Sequence, residues 1–141
     1  MRYYDKWMNF LLLIILAMNV AFNSQKYVVV EVRSKSVEVE NEKPFPLFVS
    51  IKPAVGIHVN VGPPISIKSP DKSTTLNIKD MPKSGEYLDP SRPIEVEGEI
   101  RGVNIGRYKI IFTVGYTYCS EKEGWCRMGN DTVSVTVNVK K

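Results

Sequence analysis

From Lys26 onward apolar and polar side chains alternate with a period of two, the signature of strands that bury one face and show the other to solvent. Val28, Val30 and Val32 alternate with Val29, Glu31 and Arg33; Val37 and Val39 alternate with Glu38 and Glu40, giving one long edge strand or two short ones. The same pattern predicts strands over 47–51, 56–61, 65–68, 75–78, 94–101, 107–118 and 132–139. Between them lie breakers: Pro44 and Pro46, Pro53, Gly62 with Pro63 and Pro64, Pro70 and Asp71, Pro82 with Gly85, Pro90 with Pro93, and Gly106. No amphipathic helical repeat of useful length follows residue 24. About seven to nine short strands separated by regular turn signals predict an all-β fold, an immunoglobulin-like antiparallel β-sandwich. The stretch 80–87 is expected to be a long loop, and long loops in compact domains tend to carry function.

A chain of 141 residues supports one core of this kind. Its opening segment stands apart. Arg2 and Lys6 precede an apolar run from Trp7 to Phe22 that is broken only by Asn9 and Asn19. This is the layout of a secretory signal, somewhat short for a membrane span of ~20 residues. Residues 1–24 are therefore expected to be a signal peptide or an uncleaved signal anchor, with a tether through 7–22, and 25–141 the sandwich domain. An exported location, periplasm or cell surface, follows. The formal charge of +4 falls to +3 once Arg2, Lys6 and Asp5 are set aside, and the basic residues form no block. Nothing in that distribution resembles a nucleic-acid footprint.

The chain has two cysteines. Cys119 closes an alternating strand, and Cys126 lies at or just before the start of the last one. Ser120, Glu121, Lys122, Glu123, Gly124 and Trp125 between them suit a turn. Strands joined in this way are antiparallel neighbours, so the sulfurs come within bridging reach, with Cα atoms expected ~5 to 6 Å apart. In an exported protein this predicts a disulfide. It admits two uses, an inert staple or an accessible redox pair. Lys122 and Arg127 would favour a thiolate and Glu121 and Glu123 oppose it, so charge does not decide. Tyr116, Tyr118 and Trp125 crowd the pair, either as cross-strand packing or as an apolar surround that shields the bridge.

Three stretches resemble a known family, the N-terminal periplasmic, immunoglobulin-like domain of the thiol:disulfide interchange protein DsbD. They are FTVGYTYCSEKEGWCRMGNDTVSV (112–135), VSIKPAVGIHVNVGPPISI (49–67) and the strand from Ile94 to Ile100. The resemblance implies that Cys119 and Cys126 form a redox-active disulfide, passing reducing equivalents between thioredoxin-like or membrane electron-transfer partners through transient mixed disulfides. It gives the attacking role to Cys126 and places a shielding cap loop within Ser84 to Pro93, with Tyr87 or Leu88 as the covering side chain. Two features depart from the family pattern. The cysteine spacing is longer by about a residue, and no electron-carrying membrane domain or thioredoxin domain follows, so another protein is expected to supply the reductant.

Other chemistry is poorly supported. His58, the sole histidine, sits in a strand and is expected to pack or face solvent; with the two cysteines it would need a borrowed carboxylate to make a zinc site, and the cysteine spacing does not suggest one. No metal and no cofactor are expected. Hydrolytic motifs are absent from the sequence, and GVNIG at 102–106 lacks the strand-to-helix context of a phosphate loop. Asn130, Asp131 and Thr132 form an N-glycosylation sequon. Two functions remain from the sequence: an extracytoplasmic redox relay, or an envelope binding or structural module whose disulfide is inert.

Overall fold

The computed structural model describes residues 26–141, so the signal or anchor expected over 1–24 lies outside the described residues. Among the described residues eleven strands follow in order: β1 Val28–Val32, β2 Ser36–Glu40, β3 Phe45–Pro53, β4 Ile57–Val59, β5 Ser66–Lys68, β6 Thr74–Asp80, β7 Lys83–Ser84, β8 Tyr87–Leu88, β9 Ile94–Ile100, β10 Gly106–Ser120 and β11 Trp125–Lys140. One sheet has the order β1-β3-β9-β6. The other runs β2-β11-β10-β4, with β5 also paired to β10.

This order is the immunoglobulin arrangement, with strands A, B, E and D in one sheet and C, F and G in the other. Strand C is split into β4 and β5. Both pair antiparallel with β10, but the register passes from Val59 opposite Tyr118 to Ser66 opposite Gly115, so the chain between them, with its Gly62, Pro63 and Pro64, loops out of the ladder. The expected strand over 56–61 is accordingly shorter.

The sandwich is not wholly antiparallel. The N-terminal strand changes sheets after β1, which pairs antiparallel with β3, and continues as β2 alongside β11 in parallel. The chain keeps its direction as it crosses, and β11 happens to run the same way.

Alternation does in the structure what it predicts in the sequence. Phe45, Leu47, Val49 and Ile51 of β3, Ile94, Val96 and Ile100 of β9, Ile110, Phe112 and Val114 of β10, and Val135, Val137 and Val139 of β11 form one buried core. At Gly98 the opposing Phe45 ring lies where a side chain would go: a Cβ there would come within 2.7 Å of Phe45 Cζ. Glycine is required by that approach.

Two differences bear on the site. The last strand begins at Trp125, where the cysteine reading set it and seven residues ahead of the alternation that starts at Thr132, so β10 and β11 form one long ladder with Cys119 and Cys126 inside it. The expected loop over 80–87 contains a small hairpin, β7 to β8, inserted between β6 and β9.

Candidate functional site: the disulfide cleft

Cys119 and Cys126 are bonded and stand directly opposite each other in the β10–β11 register, Cα atoms 4.1 Å apart. The distance is shorter than the sequence led us to expect, and the ladder explains it. The Asn60 N–H donates to Thr117 O at 2.9 Å, so odd-numbered residues at this end of β10 turn their backbone groups towards strand C. Cys119 therefore meets Cys126 as a non-hydrogen-bonded pair, the closer of the two antiparallel pair types. The turn from Glu121 to Gly124 closes behind them, with the Gly124 N–H donating to Ser120 O at 2.9 Å and Gly124 in the left-handed region at φ 69°.

His58 lies opposite Cys119 on its other side, so Cys126, Cys119 and His58 form a row across three strands. Cys119 is 9% exposed and Cys126 is exposed. The Asn60 side chain donates from Nδ2 to Cys119 Sγ at 3.3 Å, and its Oδ1 is buried without a hydrogen-bond partner.

The β7–β8 hairpin flanks this row. It attaches to the end of strand C through an Asn60–Tyr87 bridge and a Val61 N–H to Glu86 O hydrogen bond of 3.1 Å. The Tyr87 ring stacks on His58, centroids 4.6 Å apart, and its hydroxyl donates to Glu121 Oε1 at 2.5 Å. That bond holds the phenol proton and raises the Tyr87 pKa above its ordinary value. Between hairpin and turn opens a cleft of about 670 Å³, lined by Asn60, Glu86, Tyr87, Glu121, Trp125 and both cysteines among others.

Tyr87 thus lines the cleft. Leu88 does not belong there: alternation turns it into the core, where it is 5% exposed.

The aromatic surround also needs correction. Successive residues of a strand face opposite sides, so Tyr116 and Tyr118 share the core-side face of β10 with Phe112 and Val114, while Cys119 takes the other. They cluster with Tyr27, just ahead of β1: Tyr27 lies 5.2 Å from Trp125 and 6.1 Å from Tyr118, and Tyr118 lies 5.8 Å from both Trp125 and Tyr116. Arg127 covers Trp125 at 4.3 Å. Tyr116 and Tyr118 support the bridge from behind; Trp125 alone of the three also borders the cleft.

Tyr116 is anchored further, its hydroxyl donating to Asp131 Oδ2 at 2.5 Å. Burial, then that hydrogen bond, pushes its pKa well above the ordinary 10.0.

Asn60, Tyr27 and Glu86 are site residues that the sequence reading missed, and Glu121, weighed there only for its charge, is the partner of Tyr87. Asn60 had one signal, its place two residues beyond His58 and so on the same strand face. Asn130 of the sequon is exposed on β11. Among the described residues, no group of three or more His, Cys, Asp and Glu side chains is placed to hold a metal ion.

Fold and site together define a class: an immunoglobulin-like β-sandwich with a disulfide across the tip of its F–G hairpin, beside an open cleft. The immunoglobulin staple proper joins strands B and F between sheets; here the bond lies within one sheet. No family model and no curated protein matches the chain. Similar solved structures include domains 4 and 5 of the S-layer protein SbsC (15% identity, 80% of this chain and 45% of that one, TM-score 0.47). Murine CRIg matches at 8% identity over 82% of this chain and 100% of that one, with TM-score 0.47. AggA, the major subunit of aggregative adherence fimbriae type I from Escherichia coli, matches at 11% identity over 80% and 94%, with TM-score 0.40. The chain spans less than half of the S-layer fragment. The class assignment rests on strand order.

Proposed function

We propose that this chain is an extracytoplasmic module of the cell envelope that engages a partner at the disulfide cleft, with the Cys119–Cys126 bond stapling the wall of that cleft. The observation that carries the reading is the cleft itself, built from three separate segments held together by Tyr87, Glu121 and the bridge. The disulfide supports an extracytoplasmic location, where such bonds persist.

A second reading is favoured by one specific asymmetry. Cys126 is exposed at the cleft and Cys119 is covered, so an incoming thiolate reaches Cys126 first. The bridge then serves thiol–disulfide exchange, relaying reducing equivalents between thioredoxin-like or membrane electron-transfer partners, as the DsbD resemblance implies.

Two variants separate the readings. In cells, a Cys119→Ser chain that leaves Cys126 free captures a partner as a mixed disulfide if the relay operates. A Cys119→Ser, Cys126→Ser chain that keeps its partner, together with a bridge potential below about −300 mV, would establish the staple. Loss of partner binding on crowding the cleft by Glu86→Trp, at a lining residue outside the left-handed region, is expected under the module reading; unchanged binding would refute it.

A further inference from the structure

Asn60 is held in place by its backbone on both sides, through its N–H bond to Thr117 O and its bridge to Tyr87. Its amide is poorly served there. Nδ2 donates to a disulfide sulfur, a weak acceptor, and Oδ1 is buried with no donor from any protein group. A buried polar atom without a partner is costly, and the oxidised bridge offers it nothing, because a disulfide sulfur carries no hydrogen.

Opening the bridge changes what Cys119 can offer. When an external thiolate attacks Cys126 Sγ, a bond forms between those two sulfurs, the Cys119–Cys126 bond breaks, and its electron pair goes to Cys119 Sγ. The resulting thiolate is a far stronger acceptor for the Asn60 Nδ2–H. Once Cys119 takes a proton from solvent, its S–H becomes a donor that Oδ1 accepts after the amide turns over. A second external thiolate then attacks the incoming sulfur, releasing Cys126 as thiolate and the external thiols as their own disulfide; two electrons have entered the protein. In either protonation state the amide is better satisfied than against the closed bridge.

We propose that Asn60 is the positioning residue of the Cys119–Cys126 bridge, favouring its opening with Cys119 as the leaving sulfur. The inference rests on the thiol-exchange reading of the cleft. It has a sign that a structural role does not share: a residue that merely props the hairpin protects the bridge, and its removal makes reduction easier.

The experiment equilibrates the full chain in glutathione buffers and counts reduced protein by alkylation and intact mass. Asn60→Leu is expected to need about a tenfold higher ratio of reduced to oxidised glutathione equivalents for half-reduction. Asn60→Asp keeps the shape but sets a carboxylate against the leaving thiolate, so it is expected to shift the same way and to move alkylation of Cys119 in the reduced protein to higher pH. It carries the test should Asn60→Leu fail to fold. Equal or easier reduction of the variants overturns the proposal. If both shifts appear but Cys119→Ser captures no partner in cells, the role of Asn60 stands and the relay falls; a captured partner without the shifts gives the reverse.

Discussion

Gly129 faces Tyr116 across the long hairpin, and replacing it with alanine tests how tightly the support behind the disulfide is built. An added Cβ would lie 2.6 Å from Cε2 and Cζ of the Tyr116 ring and 2.8 Å from its oxygen, against ordinary contact from 3.4 Å, so the ring must retreat by about 0.8 Å. It has little room. Tyr116 is 8% exposed, Tyr118 is packed beside it, and its hydroxyl is bound to Asp131. Overpacking of this kind costs about 1–3 kcal/mol, and weakening the bond to the carboxylate adds about 1 kcal/mol. The lower chain entropy of alanine in the unfolded state returns about 0.5–1 kcal/mol. Gly129→Ala is thus expected to destabilise by about 2 kcal/mol, measured as a lower urea midpoint at unchanged slope, with a fall in Tm of about 8 °C. In a Tyr116→Leu background most of that cost should vanish, since the ring that clashes is gone. A variant as stable as the parent, or a cost undiminished without the ring, would refute the packing account.

Two further outcomes follow from the same hairpin. Cys119→Ser, Cys126→Ser removes a cross-link between residues 7 apart, and is expected to lower the unfolding free energy by about 2–3 kcal/mol on the chain-entropy estimate; an unchanged midpoint in denaturant would mean that the ladder alone holds the register. Tyr116 keeps its proton to higher pH in the folded than in the unfolded state, so its contribution is complete below the ordinary value of 10.0 and is lost as pH rises beyond it. Stability measured from pH 9 upward is expected to fall with a slope that Tyr116→Phe reduces; equal slopes would contradict the assignment.

The strands that build the core were legible because their buried residues are large, apolar and two apart, as in Phe45 to Ile51 and Ile110 to Val114. The start of β11 was marked by Cys126 alone and not by alternation. There the core-side positions are Arg127, Gly129 and Asp131, which look like a turn in sequence and are explained only by their partners: Trp125 under Arg127, the Tyr116 ring over Gly129, the Tyr116 hydroxyl at Asp131. The β7–β8 hairpin escaped notice because Lys83, Ser84 and Tyr87 bury no alternating face of their own; Tyr87 finds its place on His58 and Glu121, far away in sequence. For the site, the disulfide was legible from spacing and turn composition. Which aromatics face the sulfurs was not, because that depends on where the turn closes, and the observed register sets Tyr116 and Tyr118 behind the bridge.

Tyr27 sits at the same pole as the F–G tip: its carbonyl accepts the Ala54 N–H at 2.7 Å while its ring rests on Trp125. Lys141, by contrast, follows a strand of 16 residues that starts at Trp125, and so lies about 50 Å from the tip. The two ends of the domain are therefore not interchangeable as handles. A label, bead or fusion joined ahead of Lys26 loads the aromatic cluster that backs the disulfide, whereas one joined at Lys141 stands about 50 Å from the tip and leaves that support untouched.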